Sequence, residues 1–408
     1  MRKIITFLGV IRNPDNAGKY QYELNGIIHE GTVFAEALRQ FAEFDEMLVF
    51  TTEEARQSSW RFLEALNDPR IIPVEIPIGQ SETEIWDIFT KVVSRVDVND
   101  IVIFDITQGL RSVPFLIFLF AAFLKSARNA TIEAVYYGAF ELGNAQEKRP
   151  APILDLSSFV NMLDWLTASN QFTQTGDGTH LAHLLDTSGT ADETFRALMD
   201  VSQAALLTHP STLMKKVKVL NEALTNDAEN IPLPFTVLRD NVANAFLPFG
   251  GDPDDSLSFL HAEYEMLLWY ENSNQIMQLV TLAREYLIDM VCVYCGMKID
   301  NQIDTRDSIR RGVLGISRLG RKEKTGLVFS FDGLNDIGKV FYPKLTPLMI
   351  EKIKNIENNL TPVRNAIDHA EHQKGGIALY RAIQKVRGII MPEIKTLTDL
   401  MFHSYKDS

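Results

Sequence analysis

The stretch at residues 101–114, IVIFDITQGLRSVP, constrains the fold more than any other part of the chain. It opens with a short apolar run rich in β-branched residues, the pattern of a strand buried on both faces of a parallel sheet. Hydroxyl, amide and guanidinium groups follow around Gly109, and Pro114 suits the first turn of an apolar helix. When a strand, a glycine turn and a helix follow in this order, the free N–H groups at the helix start point to the space beyond the end of the strand. The stretch therefore predicts either a phosphate-binding loop or an ordinary capped turn.

Strand and helix patterns alternate through about the first 155 residues. A helix-capping pair, Thr51 and Thr52, and a capping box at residues 81–84 mark two helix starts, and a third helix is expected around residues 32–41. This succession predicts a mainly parallel, doubly wound sheet with right-handed crossovers. The predicted strands are residues 3–9, 47–51, 71–76, 101–106 and 131–138.

From residue 156 onward the sequence is helical in character, with few β-branched runs. The predicted fold is thus an α/β, doubly wound (Rossmann-like) domain at residues 1–155, followed by an all-α region. Connectors near residue 255 divide that region into a helical middle segment, 156–255, and a C-terminal helical domain, 256–408. The middle segment is long enough for a helix-turn-helix module, but its surface residues are not especially basic, which disfavours DNA reading.

Charge limits the nucleic-acid contacts that this chain can make. With 46% hydrophobic and 23% charged residues, the composition is that of an ordinary soluble protein. The formal net charge of −13 argues against general coating of nucleic acid, so any RNA contact is expected to be local. The strongest basic cluster is either a solvated helix face or an RNA-facing patch, and consists of Arg306, Arg310, Arg311, Arg318, Arg321, Lys322 and Lys324.

Localisation is expected to be cytoplasmic, without membrane association. The first three residues run directly into a strand pattern, so no signal peptide is recognisable. The longest apolar run, residues 113–124, is too short to cross a bilayer. It predicts a helix covered on nearly all sides, by its own sheet and by a partner subunit.

Two cysteines, Cys292 and Cys295, form a lone C-x-x-C pair within an apolar helical pattern. A zinc site would require distant histidines in addition, so buried core thiols are the favoured interpretation. The sequence contains neither G-x-G-x-x-G nor a Walker motif, which disfavours ordinary dinucleotide and nucleoside triphosphate binding. No metal site and no cofactor are expected.

A second group of chemistry-bearing residues lies in TPVRNAIDH, residues 361–369. Thr361 is predicted to cap a helix that begins at Pro362, which would place its free N–H groups within a turn of Arg364. Arg364 and His369 are separated by about 140° on the polar side of that helix. Arginine can hold a scissile phosphate while histidine moves protons, so this pair can cleave RNA without metal if the ribose 2′-hydroxyl attacks. Alone, the pattern is more typical of an amphipathic surface helix.

The two motifs together resemble those of the CRISPR-associated CARF–HEPN ribonucleases of type III systems, in particular the Csx-one type. DITQGLRSVP is the more specific of the two, and it is supported by FLG near the N-terminus, by the following loop with Tyr20 and Tyr22, and by the C-terminal RNAIDH. The resemblance covers both ends of the chain better than its middle. In that family the CARF domains dimerise and bind a cyclic oligoadenylate across the two-fold axis, and paired HEPN domains form one RNase site.

The resemblance implies roles for individual residues. Arg364 and His369 are implied to be catalytic, with Asn365 in support. Gln108 stands where family members often carry histidine. The residues implied to contact the activator are Gly9, Val10, Thr107, Gln108, Gly109, Arg111 and Ser112.

The function expected on this basis is a metal-independent endoribonuclease of single-stranded RNA that cyclic oligoadenylate activates in type III CRISPR defence. The favoured activator is cyclic tetra-adenylate, and the expected assembly is a homodimer, with a higher oligomer left open. Two alternatives stay open at this point. One is a CARF regulator that binds DNA through its middle segment, and the other is a ring nuclease that degrades the activator itself.

Overall fold

The computed structural model describes residues 1–408 apart from 110–112, 144–148, 189–191, 228, 230, 300–301, 323–325, 369–378 and 403–408. The chain divides into two compact units, Met1–Asp164 and Trp165–Ser408. The first contains an eight-stranded sheet with its helices, and the second consists of helices. An α/β domain followed by an all-helical region confirms the predicted fold class.

The sheet of the first unit has the strand order β3-β2-β8-β7-β6-β1-β4-β5. The five strands from β7 to β5 are parallel to one another, β8 runs antiparallel to β7, and β2 forms an antiparallel hairpin with β3. The strands are β1 Arg2–Leu8, β2 Tyr20–Leu24, β3 Ile27–Gly31, β4 Glu46–Thr51, β5 Ile71–Glu75, β6 Ile101–Asp105, β7 Thr131–Gly138 and β8 Ala151–Asp155.

Both faces of the sheet are covered by helices, because successive side chains along each central strand alternate between two buried layers. In β1, for example, Ile4 packs into the layer with α1 and α2, whereas Ile5 packs into the layer with α3 and α4. The helices of this unit are α1 Phe34–Phe41, α2 Glu53–Glu64, α3 Glu82–Ser94 and α4 Val113–Arg128.

The predicted helix starts are confirmed at two caps. Thr52 Oγ1 accepts a hydrogen bond from Ala55 N at 3.3 Å, and Ser81 Oγ accepts one from Glu84 N at 3.2 Å. The Glu84 carboxylate accepts from Gly79 N and Gln80 N, at 2.8 and 3.0 Å, so it satisfies the N–H groups just before the helix.

Three strands differ from the sequence prediction. The segment with Tyr20 and Tyr22, predicted to be a loop, is the hairpin of β2 and β3, and its turn is Asn25-Gly26 with φ angles of 53° and 81°. The third is β8, which begins at Ala151 and pairs with both β7 and β2. The sheet is therefore mixed and wider than the five parallel strands that were predicted.

The helices after the sheet are α5 Ser157–Thr175, α6 Thr179–Ser188, α7 Asp192–Leu206, α8 Pro210–Asn226, α9 Leu233–Phe246, α10 Ser256–Asn272, α11 Ile276–Tyr294, α12 Ile303–Arg318, α13 Asp336–Phe341, α14 Pro347–Asp368, α15 Leu379–Lys385 and α16 Met391–Met401. One hydrophobic cluster extends from Trp165 to Met401. The middle segment that the sequence separates at residue 255 thus shares its core with the later helices. Among the described residues, no helix combines the length and hydropathy needed to cross a membrane.

Candidate functional site

The first candidate site lies at the point where the strand order of the sheet reverses. On one side of β1 lie β4 and then β5, whereas β6, the next strand in the chain, lies on the opposite side of β1. Open α/β sheets bind ligands in the crevice at the carboxyl ends of the strands at such a point. The loops after β1 and β6 border this crevice, and they carry the residues predicted to bind an activator.

Glycines allow these two loops to touch. Gly109 has a φ of +117°, and a Cβ there would lie 2.7 Å from the Phe7 Cβ. A Cβ at Gly9 would lie 3.4 Å from Gly109 N and 3.6 Å from the Gln108 Cβ. A side chain at Gly109 is therefore excluded both by backbone conformation and by contact with β1. The structure brings together Gly9, Gln108 and Gly109, as the sequence predicts.

A cavity of about 240 Å³ opens beside these loops. Its wall includes Gly9, Val10 and Gly109 from the predicted set. The other wall residues were not predicted from the sequence. Most of them lie at or just beyond the carboxyl ends of β1, β4 and β5, and they are Phe7, Leu8, Phe50, Thr52 and Ile76. The cavity thus combines an apolar floor with exposed backbone, which suits a ligand with a flat apolar part.

A buried serine of α2 holds the β1 loop in place. Ser59 Oγ donates to the Gly9 carbonyl oxygen at 2.7 Å and accepts from Ile11 N at 3.1 Å. The Ser59 side chain is fully buried. Sequence analysis did not single it out, because nothing in its neighbourhood along the chain indicates that it reaches the loop after β1.

Thr107 is buried, and its hydroxyl is used within the protein. Its Oγ1 accepts from Gly138 N at 2.8 Å, which ties the loop after β6 to the end of β7. Its backbone N–H donates to Asp105 Oδ1 at 2.7 Å. Thr107 therefore has a structural role, holding the end of β7, in addition to its predicted contact with an activator. Arg111 and Ser112, the other predicted contacts of this loop, lie outside the described residues.

Asp105, at the end of β6, is a buried carboxyl group within this loop support. Its Oδ2 accepts a hydrogen bond from Thr6 Oγ1 of β1 at 2.6 Å. Burial raises the pKa of Asp105 to about 6, and the hydrogen bonds from Thr6 and Thr107 partly oppose that rise. The Asp105 carboxyl group thus links β1 and β6, the two strands at the reversal point, to the loop after β6.

The second candidate site is on α14, and here one prediction is wrong. The helix begins at Pro347 and continues through Pro362, so Thr361 does not cap a helix start. Thr361 Oγ1 instead donates to Glu357 Oε1 at 2.5 Å. Leu360 and Val363 are fully buried, and their packing keeps the helix continuous although Pro362 removes one backbone hydrogen bond.

Arg364 consequently lies near the C-terminal end of a long helix. The free N–H groups expected beside it are absent there, and the helix macrodipole at this end is negative. Any attraction for a phosphate must come from the guanidinium group itself and from other side chains. Arg364 is half-buried and Asn365 is exposed, which agrees with the predicted polar side of the helix. His369 lies outside the described residues.

A buried carboxylate, that of Glu357, precedes Arg364 on α14. Glu357 lies two turns earlier on the same face, and an Arg284 nitrogen of α11 lies 3.9 Å from Glu357 Oε1. Among the described residues, Glu357 Oε2 and Arg284 Nε have no hydrogen-bond partner. Burial raises the pKa of Glu357, whereas its hydrogen bond from Thr361 and the charge of Arg321 lower it.

Three of the seven residues in the predicted basic cluster pair with acids, and Lys324 lies outside the described residues. Arg306 binds both Asp289 and Glu285, the latter at 2.7 Å. Two more of its arginines, Arg310 and Arg311, both pair with Asp307. Arg318 lies over the Phe329 ring at 5.0 Å, and Arg321 and Lys322 are exposed. The segment is therefore a weaker candidate for an RNA-facing patch than its sequence indicates.

The prediction that the cysteines are buried thiols is confirmed. Cys292 and Cys295 are both free and buried. Burial raises the pKa of the Cys292 thiol to about 12 and that of the Cys295 thiol to about 11. In the part of the chain that the structure describes, no three histidine, cysteine or carboxylate side chains are placed to hold a metal ion.

Comparison with known proteins relates the chain to CRISPR-associated proteins. Residues 161–247 match the family model for the second domain of the CRISPR-associated protein MJ1674. The curated CRISPR-associated protein MJ1674 of Methanocaldococcus jannaschii is 26% identical over 152 residues, which are 36% of this chain and 23% of that protein. The match thus spans about a quarter of the relative's length. It confirms the predicted relationship to CRISPR-associated proteins.

Among solved structures, a similar one is Enterococcus italicus Csm6 bound to cyclic hexa-2′-fluoro-hexa-dAMP. It covers 100% of this chain and 95% of its own, with a TM-score of 0.43 and 10% sequence identity. Similarity at this level does not establish a shared function.

Proposed function

We propose that this chain is a CARF–HEPN endoribonuclease of type III CRISPR defence that cleaves single-stranded RNA when a cyclic oligoadenylate binds its first unit. The observation that carries the proposal is the combination, in one CRISPR-associated chain, of a glycine-bordered crevice at the sheet reversal point and an R-x(4)-H sequence motif whose Arg364 lies on the polar side of a helix. Each feature alone has an ordinary structural explanation.

The crevice supports the activator part of the proposal. Adenine is a flat, largely apolar group, and the cavity offers Phe7, Phe50 and Ile76 as apolar contacts. Gly9 and Gly109 also line the cavity, so backbone groups border it where a phosphodiester would lie. Arg111 and Ser112 would supply charge and a hydroxyl to the same phosphates.

The exposed face of α4 supports a homodimer. Phe115, Leu119 and Phe123 are 71%, 46% and 43% exposed, while the opposite face of the helix is buried on the sheet. Phe118 is 37% exposed on the same outer face. Soluble chains rarely expose such a contiguous aromatic stripe, and a second copy of α4 is a self-complementary cover for it. A symmetric ring ligand would then meet the same loop from both subunits.

In the RNase reaction, the ribose 2′-hydroxyl attacks the adjacent phosphorus and the 5′-oxygen of the next nucleotide leaves. Arg364 would hold the phosphate as negative charge develops on it, and His369 would transfer protons. Asn365, exposed beside Arg364, would bind the strand. The products of this step carry a 2′,3′-cyclic phosphate and a 5′-hydroxyl.

The test is cleavage of a fluorescent single-stranded RNA in EDTA, with cyclic tri-, tetra- and hexa-adenylate added separately. One ring is expected to stimulate cleavage, with tetra-adenylate favoured, and the same sequence in DNA is expected to stay intact. Substituting His369→Ala or Arg364→Ala should abolish cleavage with little change in activator binding, and Arg364→Lys should restore it only in part.

The matched control is His372→Ala, which changes a nearby histidine outside the motif. It should retain near-normal turnover. Full turnover by His369→Ala, or loss of all activity in EDTA with recovery on adding a divalent metal, would contradict the proposed chemistry.

A further inference from the structure

The structure divides the predicted basic cluster into a paired part and an unpaired part. Arg306, Arg310 and Arg311 lie on α12 and pair with carboxylates. Arg321 and Lys322 follow the end of α12, are exposed, and form no ion pair with any described residue. The choice between a solvated helix face and an RNA-facing patch, which the sequence leaves open, therefore has to be made separately for the two parts.

The unpaired part lies on a short antiparallel hairpin between α12 and α13, which consists of residues 319–322 and 326–329 and which we call the basic hairpin. Phe329 N donates to the Arg321 carbonyl oxygen at 2.8 Å, and Lys322 forms a β-bridge with the returning strand. The backbone of both cationic residues is therefore held in place, although their side chains are exposed.

The basic hairpin lies at the same end of the helical unit as Arg364. Both α12 and α14 begin beside the end of α11, because Arg306 in the first turn of α12 pairs with Asp289, and Lys344 Nζ, just before α14, donates to the Cys295 carbonyl oxygen at 2.5 Å. The two helices also pack against each other. The 16 residues of α12 extend about 24 Å, and Arg364 lies about 26 Å from the start of α14, so the two positions are at a similar height.

The face of α14 that carries Arg364 is also within electrostatic reach of Arg321. Glu357, two turns before Arg364 on this face, has its pKa lowered by the charge of Arg321. The Glu357 carboxylate is 8% exposed, accepts a hydrogen bond from Thr361 and lies beside the guanidinium of Arg284. An anion that approaches this face therefore meets two exposed or half-buried arginines, whereas the carboxylate near them is buried and already paired.

The basic hairpin combines these cations with exposed apolar side chains. Leu327 and Val328, on its returning strand, are 72% and 59% exposed. Single-stranded RNA has the matching combination, because its phosphates are charged and its unstacked bases present flat apolar faces. In a chain of net charge −13, a local surface of this kind can attract such a strand while the rest of the protein repels it.

We propose that the basic hairpin binds single-stranded RNA, with Arg321 and Lys322 on phosphates that flank the one held by Arg364. The inference rests on the proposed function, since it assigns the hairpin the same substrate as the RNase motif. Each of the two cations neutralises one phosphate, so the hairpin contributes to binding of the strand and takes no part in the cleavage step.

The experiment measures the affinity of a fluorescent ten-nucleotide single-stranded RNA by fluorescence anisotropy, without activator, between about 50 and 200 mM salt. The parent is the full chain with His369→Ala, which retains Arg364, and a gel verifies that the RNA stays intact. The test variant adds Arg321→Gln and Lys322→Gln. Both side chains are exposed, so its melting temperature should match that of the parent.

The matched control adds Arg310→Gln and Arg311→Gln, which remove the same amount of charge from the paired part of the cluster. We expect the test variant to bind RNA at least tenfold more weakly than the parent at the lowest salt, and the control to differ from the parent less than twofold. The slope of log affinity against log salt should become shallower by about 1.4 in the test variant, since each phosphate contact with a single strand contributes about 0.7. A merely structural role would not change this slope.

The proposal is overturned if the parent does not bind the RNA, or if the test variant binds it with the same affinity and salt dependence as the control. Failure of the proposed function has a different signature, because this assay requires neither activator nor cleavage. RNA binding that depends on Arg321 and Lys322, in a chain that never cleaves RNA when His369 is present, would support the hairpin and contradict the RNase.

Discussion

At the scale of single residues, Asp105 connects the parts of the proposed activator crevice. Its two carboxyl oxygens accept from Thr6 of β1 and from the backbone of Thr107, and both donors adjoin the point where the sheet reverses. The group is fully buried and no basic side chain pairs with it among the described residues. Its ionisation is therefore opposed by burial and supported only by hydrogen bonds.

Stability should depend on pH through this carboxyl group. Its pKa of about 6 in the folded chain exceeds the ordinary 3.8, so folding favours the protonated form. The resulting stabilisation is complete below pH 3.8, declines as pH rises through about 6, and amounts to about 3 kcal/mol. Asp105→Asn cannot ionise, so its melting temperature relative to wild type should rise by several degrees between pH 4 and pH 8.

The control for this measurement is Asp240→Asn, because the Asp240 side chain is 78% exposed. The difference in melting temperature between Asp240→Asn and wild type should stay constant over the same pH range. A constant difference for Asp105→Asn as well would mean that this carboxyl group ionises in the folded chain as easily as in the unfolded chain.

At the scale of elements, α4 has two apolar faces, and the described residues of the chain bury one of them. Leu116, Ile117 and Phe120 pack on the sheet, whereas the outer face exposes the aromatic stripe. The sequence predicts that α4 is buried on nearly all sides, whereas the structure buries only the face of α4 that packs on the sheet, among the described residues. The outer face thus has the composition of a dimer interface.

Introducing charge into that face should separate the subunits. Phe115→Asp is expected to convert a dimer into a monomer, because a carboxylate in an apolar interface loses its hydration without a partner. Sedimentation velocity at micromolar concentration provides the measurement. Val98→Asp, at an exposed loop position of the same unit, is the control and should leave the dimer intact. A wild-type monomer, or a Phe115→Asp dimer, would contradict this role of α4.

The elements also show which sequence signals are sufficient to predict a strand or a helix start. The five parallel strands were predictable because buried β-branched runs combine with caps such as Thr52 and Ser81. The hairpin of β2 and β3 was missed although Asn25-Gly26 is a strong turn signal, because its strands are short and partly exposed. Pro362 gave a wrong prediction of a helix start. It lies inside α14, because burial of the flanking apolar residues outweighs the preference of proline for the first turn of a helix.

At the scale of the whole molecule, contacts between the loops of adjacent parallel strands were predictable and contacts that depend on helix packing were not. Gly9 and Gly109 could be placed together because adjacent parallel strands end at the same sheet edge. The contact between Glu357 and Arg284 gave no such signal, because it joins α14 to α11, which are far apart in sequence. The contact of Ser59 with Gly9 likewise depends on helix packing that no local pattern encodes.

The central claim at this scale is that a ligand of the first unit controls RNA cleavage by the second. Such control requires that the activator favour one arrangement of the dimer over another. The two proposed functions would therefore be linked but separable, and weakening activator binding should alter the activator concentration needed rather than the cleavage chemistry. Arg111 is the residue best suited to this test, since it follows Gly109 closely and does not belong to the RNase motif.

The most direct measurement is RNase rate as a function of activator concentration for wild type and Arg111→Ala, with Arg128→Ala at the other end of α4 as the control. Loss of one charge-assisted phosphate contact costs roughly 1.5–3 kcal/mol, so the activation midpoint of Arg111→Ala should rise about 10- to 150-fold. At saturating activator the variant should recover most of the wild-type rate, and Arg128→Ala should follow the wild-type curve. An unchanged midpoint for Arg111→Ala would contradict the account and leave the loop after β6 as an ordinary capped turn.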